Sequence, residues 1–280
     1  MNNWFFILIT LGVIQGIAEF LPISSSGHLV ILEQVQCFKE GLKDLGTAGI
    51  MFVNVALHIA TLLALLINMR KDIANIVKGF FQGMVSRDFR KSEVRITLYI
   101  IFATIPAAII GVLLSDLIEN LFLSARVAFI FLIINGIILI FTKKITLRDR
   151  KLDEIGFFRS IGVGLFQAFA ILPGISRSGM TITGGMLMGL GPVDSARFSF
   201  LMAIPVIIGA SLLEGLKAVK IGFPDGFMPA VVTAMIITVI VALVSLRILF
   251  AAVKNIRINL FGYYTIAVGV AGLVALYLIA

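Results

Sequence analysis

The sequence predicts an all-α polytopic membrane protein: an inverted-topology repeat with six transmembrane helices and two re-entrant, broken-helix hairpins. The first observation is composition. Of 280 residues, 60% are hydrophobic and 14% charged, and mean hydropathy is +1.10. A soluble domain is about half apolar and a quarter charged. The second is an internal echo. A shift of 152 positions lays Gly12, Gln15, Ala18, Ile23, Ser24, Ser26 and Gly27 on Gly164, Gln167, Ala170, Ile175, Ser176, Ser178 and Gly179. The third is the placement of the 23 lysines and arginines. Seven fall in residues 69–95, six in 143–159 and three in 247–257.

Residues 4–36 open the chain as an apolar stretch broken by Pro22 and the run Ser24-Ser25-Ser26-Gly27. Neither half is long enough to cross a bilayer comfortably, since a span needs roughly 20 apolar residues. A hairpin that enters and leaves on one side satisfies both halves. Irregular backbone at that depth must be covered by protein or line a wet cavity. Spans follow at about 50–68, 97–115 and 124–142. Residues 160–192 repeat the broken pattern around Pro173-Gly174 and Ser176-Arg177-Ser178-Gly179, and spans at about 199–215, 228–246 and 259–279 complete the chain. The whole reads as one membrane domain, 1–280, with a first repeat over 1–142 and a second over 152–280. Pro106 and Pro205 are expected kinks. They belong to a second echo, at an offset of 99, that does not fit the repeat.

Basic loops stay cytoplasmic, so 69–95, 143–159 and 247–258 are placed inside. Residues 37–49, 216–227 and both termini are then outside. The first hairpin opens outward and the second inward, so the halves have opposite orientation, as in proteins that bind ligands where inverted repeats meet. The same clustering argues against nucleic acid as the reason for the net charge of +8. No secretory signal is visible, because the N-terminus lacks a basic region and the first apolar run carries Gln15 and Glu19. The lone Cys37 excludes an internal disulfide and a multi-cysteine metal site. It reads as a small filler near a membrane edge.

Few residues in so apolar a chain can do chemistry. Gln15 and Glu19, four apart, share a helix face, and an ionisable group at membrane depth is a functional candidate by default. Ser24, Ser25, Ser26, Gly27 and His28 end the first half-helix and start the second. Serines there can N-cap, or can bind or attack a phosphate at a helix N-terminus. His28 can serve as a base for a serine or as a nucleophile itself. Arg177 stands in the mirror break with Ser176, Ser178 and Thr181 as added donors. A bidentate phosphate contact rewards such an arginine, and an ion pair with Glu19 would also hold it. His58, four residues after Asn54, is expected to make a hydrogen bond between helices. Asp194 and Arg197 are expected to pair at the cytoplasmic edge. The 23 phenylalanines read as lipid-facing or packing residues.

Gln15-Gly16-Ile17-Ala18-Glu19-Phe20-Leu21-Pro22 followed by Ile23-Ser24-Ser25-Ser26-Gly27-His28 resembles the first signature of the undecaprenyl-diphosphate phosphatase family, also known as bacitracin-resistance proteins. Pro173-Gly174-Ile175-Ser176-Arg177-Ser178-Gly179-Met180-Thr181 resembles its second, and the Leu57-His58 region and Ala196-Arg197-Phe198-Ser199-Phe200 are similar to it. The resemblance runs over almost the whole chain. It implies a multi-pass protein of the bacterial plasma (inner) membrane, with its site toward the outer side. The implied reaction removes the terminal phosphate of undecaprenyl diphosphate and so returns the lipid carrier to cell-wall synthesis. Glu19, Ser25, His28 and Arg177 are the implied catalytic residues. Gln15, Ser24, Ser26, Gly27, Ser176, Ser178 and Thr181 form the expected substrate-binding set. A divalent cation, magnesium or calcium, is associated with activity, with Glu19 as its ligand. Many relatives have Glu at the position of Gln15, and an amide is a weaker metal ligand. The expected partners are the lipid substrate and membrane lipids, with no nucleic acid, and a homodimer is left open.

Two other readings compete. Inverted repeats with broken helices are also transporter architecture, which suggests a flippase for the polyprenyl phosphate carrier. Ser26-Gly27-His28 partly resembles the acid-phosphatase-like lipid phosphatases. That chemistry needs a further histidine after a Ser-Arg pair, and His28 and His58 are the chain's two histidines.

Overall fold

The computed structural model describes residues 3–33, 35, 38, 40, 45–145, 148–218 and 226–279. Cys37, the extreme termini, and parts of the 37–49 and 216–227 connections lie outside the described residues. Among those described are twelve α-helices: α1 (Asn3–Ala18), α2 (Ser25–Glu33), α3 (Gly46–Asn68), α4 (Arg70–Ser86), α5 (Ser92–Leu113), α6 (Ser115–Phe122), α7 (Ala125–Phe141), α8 (Phe157–Phe169), α9 (Arg177–Leu187), α10 (Pro192–Ala218), α11 (Phe227–Lys254) and α12 (Asn259–Ile279). Six of them, α3, α5, α7, α10, α11 and α12, are long and apolar enough to cross a bilayer. α1 and α8 are shorter apolar helices. Each is followed by a break and a second short helix, α2 or α9. The protein is a multi-pass membrane protein.

The spans sit where hydropathy puts them, but three run further. α5 starts at Ser92, α10 starts at Pro192, and α11 continues to Lys254. The added turns carry Arg95, Asp194, Arg197, Arg247 and Lys254. Long charged side chains can keep their heads in water while the helix continues beneath them. Arg197 does pair with Asp194 (3.3 Å) and also reaches Asp72 on α4 (2.6 Å). Pro106 and Pro205 lie inside continuous helices.

The basic stretch 69–95, expected to be a loop, contains helix α4. Its charges obscure the pattern in the sequence. Ile73 and Ile76 pack on the core, Gly79 and Gly83 are buried, and Val77, Phe81, Met84 and Val85 are exposed. A helix with apolar residues left uncovered beside basic ones suits the membrane interface. α6 is a second unexpected short helix, in the link between α5 and α7.

Shifted by 152 positions, α1 falls on α8 and α2 on α9. α1 packs along α11 and α8 along α5. α3 packs on both α10 and α11, and α7 packs along α12 in the most extensive helix contact of the protein. Without a hydrophobic drive between helices in lipid, such crossings rely on small residues. A methyl added at Gly262 would lie 2.6 Å from the Gly136 carbonyl oxygen, so the α7–α12 crossing depends on glycine on both helices.

The main core gathers Phe20, Leu65, Leu139, Ile182, Phe198 and Phe200 from both halves of the chain. Phe20 and Phe200 meet edge to face, 5.5 Å between centroids. Burying a side chain of that size contributes about 1.5–3 kcal/mol. Phe20 thereby fixes the chain directly after Glu19, at the tip of the first hairpin.

Candidate active site

The two hairpin tips touch. A methyl on Gly27 would lie 2.9 Å from the Gly174 Cα, and Gly174 has a φ of +97°. Only glycine takes up that conformation without strain. Asn135 on α7 ties the tips together. Its Nδ2 donates to the Pro22 carbonyl (3.1 Å), and its Oδ1 accepts from the Ser176 backbone N–H (3.0 Å). Asn135 is fully buried. Nothing in its local sequence marks it, since its partners lie 113 and 41 residues away. Asn135→Ala is expected to leave both backbone groups unpaired, at about 1–3 kcal/mol each. Thermal unfolding in detergent would read the loss.

The serine runs build matching caps. Ser24 Oγ accepts from the Gly27 N–H (3.1 Å) and meets Ser26 Oγ (3.2 Å). Ser176 Oγ accepts from the Gly179 N–H (3.2 Å) and meets Ser178 Oγ (3.1 Å). Such caps satisfy N–H groups that a helix start leaves unpaired. Ser24 has a φ of +70°, rare for a residue with a Cβ and costing about 1–2 kcal/mol. Its carbonyl oxygen accepts from both the His28 N–H (3.3 Å) and His28 Nδ1 (2.8 Å).

Glu19 is the hub. It is buried and receives three donors. Arg177 Nη2 donates to Oε1 at 2.7 Å, while Ser25 Oγ at 3.0 Å and Gln15 Nε2 at 3.1 Å donate to Oε2. His58 Nε2 lies 3.8 Å from the same Oε2. Arg177 starts α9 and Glu19 follows α1, so the ion pair spans the two hairpins. Arg177 Nη1 is buried and, among the described residues, has no acceptor. A cavity of about 200 Å³ opens beside this group. Its wall carries Glu19, Ser25, Ser26, His58, Arg177, Ser211 and Glu214, with Val55, Phe122, Ile171 and Ile207 as apolar lining. These residues come from the middle of α3, the last residue of α6, the C-terminal half of α10 and the hairpin tips. They lie toward the end of the bundle away from the basic stretches.

Several expected residues stand elsewhere. His28 does not pair with Ser25, which turns to Glu19 instead. Because a carbonyl only accepts, His28 Nδ1 carries a hydrogen, and in the neutral ring Nε2 accepts from Tyr264 Oη (2.9 Å). The two rings stack at 5.7 Å. Ser24, Ser176 and Ser178 are buried as capping residues, and Gly27 makes the close contact between the tips. Thr181 Oγ1 donates to the Arg177 carbonyl (2.7 Å) and meets the Ser199 hydroxyl. Thr181 therefore braces α9 rather than the cavity. Gln15 touches Glu19, not the cavity. His58, expected to bond between helices, bonds Nδ1 to the Asn54 carbonyl of its own helix (2.8 Å) and faces Glu19. Ser211 and Glu214 were not expected at the site.

The donors available for a divalent cation are oxygens, the type that magnesium and calcium prefer. The Gln15 Oε1 is buried and, among the described residues, has no hydrogen-bond partner; the amide Nε2 is the atom that faces the Glu19 carboxylate. No group of three or more His, Cys, Asp or Glu suited to a metal is present among the described residues. Glu19 lines the cavity and Gln15 does not, so a cation there would take Glu19 as a ligand and its remaining oxygens from a diphosphate and water, the way magnesium usually binds.

Fold and site together define a class: a polytopic membrane protein whose two broken hairpins enclose a buried carboxylate, a hydroxyl and an arginine with one unspent donor. The chain belongs to the family described as bacitracin resistance protein BacA, whose model matches residues 8–271. It is 38% identical over 271 residues to a Trichlorobacter lovleyi protein, covering 95% of this chain and 94% of the relative. It is 37% identical over 277 residues to a Thermomicrobium roseum protein (96% of each), and 35% identical over 274 residues to one from Rubrobacter xylanophilus (97% of each). All three relatives are named undecaprenyl-diphosphatase.

Proposed function

We propose that this chain hydrolyses undecaprenyl diphosphate to undecaprenyl phosphate and inorganic phosphate. Relatives carrying that name span nearly the whole chain, and the site has the parts such a reaction needs. The observation that carries the reading is Arg177. It is a half-buried guanidinium at membrane depth with Nη2 on Glu19 and a buried Nη1 that, among the described residues, has no acceptor, next to a serine hydroxyl held by the same carboxylate.

The polyprenyl tail lies among the apolar helices, and the diphosphate enters the cavity at the hairpin tips. Arg177 turns its paired N–H groups toward the terminal phosphate, a planar fork against tetrahedral oxygens. Glu19 is then left with Ser25 and Gln15 as its donors. The Ser25 Oγ attacks the terminal phosphorus, and its proton passes to Glu19. The bond from phosphorus to the bridging oxygen breaks, and undecaprenyl phosphate leaves. Glu19 gives that proton to the departing phosphate and, freed, deprotonates a water that attacks the phosphoserine; the bond from phosphorus to Ser25 Oγ breaks, inorganic phosphate leaves, and Glu19 returns the proton to the Ser25 oxygen. Positioning and charge stabilisation carry most of phosphoryl transfer, and both tips contribute here. A bound magnesium or calcium ion, held by Glu19, would supply further neutralisation of the diphosphate. His28, fixed between the Ser24 carbonyl and Tyr264, packs behind the serine run.

Each hairpin opens one half of an inverted repeat, and the cavity faces the outer side of the plasma membrane. The 152-residue offset, the matching serine caps and the position of the cavity away from the basic stretches support this. Every residue in the scheme comes from one chain, so a homodimer is not required. The transporter reading is not favoured. Moving a lipid does not call for a serine hydroxyl on a buried carboxylate, and the relatives are named for diphosphatase activity. Purified protein in detergent, given undecaprenyl diphosphate, is expected to release one phosphate per lipid. No release, with the protein folded, would refute the assignment.

A further inference from the structure

We propose that a second cavity, at the basic end of the bundle, is a binding site for the phosphate headgroup of an anionic phospholipid. The cavity has a volume of about 540 Å³ and lies between the α7–α8 connection and the last turn of α9. Its wall carries three cations, Lys144, Arg148 and Arg159, above an apolar floor that includes Met186 and Met188. None of its lining residues is acidic, and among the described residues none of the three cations is in an ion pair. Two other arginines at this end are paired, Arg95 with Asp153 and Arg197 with Asp72 and Asp194. Asp149 follows Arg148 in sequence but turns away. A methyl on Gly191 would lie 2.7 Å from its Oδ1. A fourth cation, Arg150, stands near Gly189, and its Nη1 is buried without an acceptor among the described residues.

The shape favours a lipid over a free anion. Phe141 and Leu187 line the cavity and are about half exposed (54% and 51%), so its rim continues onto apolar surface. Lys144 Nζ lies 4.9 Å from the Phe141 ring centroid, which places a cation where headgroup and acyl chain would join. The helix end does not oppose an anion strongly. The Gly189 N–H bonds to the Met186 carbonyl and the Leu190 N–H to the Gly185 carbonyl, both at 3.0 Å. This closing turn takes up carbonyls that would otherwise face the site. Basic pockets beside transmembrane helices recognise anionic headgroups by this chemistry. A lipid held here rests against the last turn of α9, whose first residue is Arg177.

The test is lipid titration of the full-length protein in neutral detergent, read by native mass spectrometry. The probes are phosphatidylglycerol, phosphatidylcholine and inorganic phosphate. The expected result is selective retention of one phosphatidylglycerol, unaffected by millimolar inorganic phosphate. Each cation near an anionic lipid surface contributes about 5-fold. Arg148→Gln/Arg159→Gln should therefore weaken retention about 25-fold. Arg148→Lys/Arg159→Lys should keep most of it, and Arg87→Gln/Arg90→Gln, on the distant α4–α5 connection, should change little. Size-exclusion profiles establish that each variant is folded. Equal retention of phosphatidylcholine, equal loss in the distant variant, or displacement by inorganic phosphate would each overturn the proposal. If Arg148→Gln/Arg159→Gln does not fold, Lys144→Gln is the substitute, with about a 5-fold loss expected and no loss overturning the proposal.

Discussion

Arg177→Ala is expected to lower phosphate release by about 10²–10³-fold, the loss typical when one preorganised donor to a developing oxyanion is removed. Arg177 begins α9 at the second tip, and its guanidinium crosses to the first. One nitrogen holds Glu19, and the other is buried with no acceptor among the described residues. Lysine is a poor substitute, because a single ammonium cannot present two parallel donors. Arg177→Lys should recover only part of the loss. The alanine variant also strands a buried carboxylate, which costs about 3–5 kcal/mol when one partner of a buried pair is removed. Adding Glu19→Gln removes the stranded charge. The double variant should regain most of the thermal stability while turnover stays lost. Measuring both quantities separates the arginine's chemical role from its structural one. Near-normal turnover in Arg177→Ala would contradict the mechanism.

Ser25→Ala is expected to cost more, at least about 10³-fold in kcat, because it removes the attacking atom itself. Ser25 lines the cavity and donates to Glu19 at 3.0 Å. The Glu19–Arg177 pair does not depend on it, so stability should fall by only about 1 kcal/mol, the worth of one hydrogen bond. Ser26 is the comparison. It lines the same cavity but meets Ser24 Oγ rather than a carboxylate. Ser26→Ala should lose no more than about 10-fold, the cost of one weak polar contact. Equal losses at Ser25 and Ser26 would mean that the serine run binds phosphate collectively and no single hydroxyl attacks.

Much of this arrangement was legible in the sequence because the bilayer is a severe solvent. Six spans follow from hydropathy, since backbone in lipid must bond internally. Glu19 and Arg177 stand out because charge at that depth is costly without a reason, and they are paired. The remainder depends on contacts distant along the chain. Asn135 clamps both tips, yet one asparagine in an apolar helix has no period or motif to mark it. His58 resembled an ordinary helix histidine because Asn54 is one turn away, and its approach to Glu19 arises only from α3 packing beside the first hairpin. The proximity of Ser25 and His28 suggested a serine–base pair. The left-handed backbone at Ser24, not visible in a string of serines, instead accompanies a His28 ring bonded to the Ser24 carbonyl and Tyr264. α4 was hidden because Arg70, Lys71 and Lys78 read as loop charges; they are exposed, while Ile73 and Ile76 pack on the core.

The central claim is that Ser25 takes the phosphoryl group on Glu19 as base, with Arg177 holding the transferred charge. The most direct measurement is rapid acid quench of the enzyme turning over a polyprenyl diphosphate labelled in its terminal phosphate, followed by peptide mapping. The mechanism predicts an acid-stable phosphoserine at Ser25 that is absent in Ser25→Ala. Label carried by His28 in acid-labile form, or turnover that persists in Ser25→Ala, would contradict it.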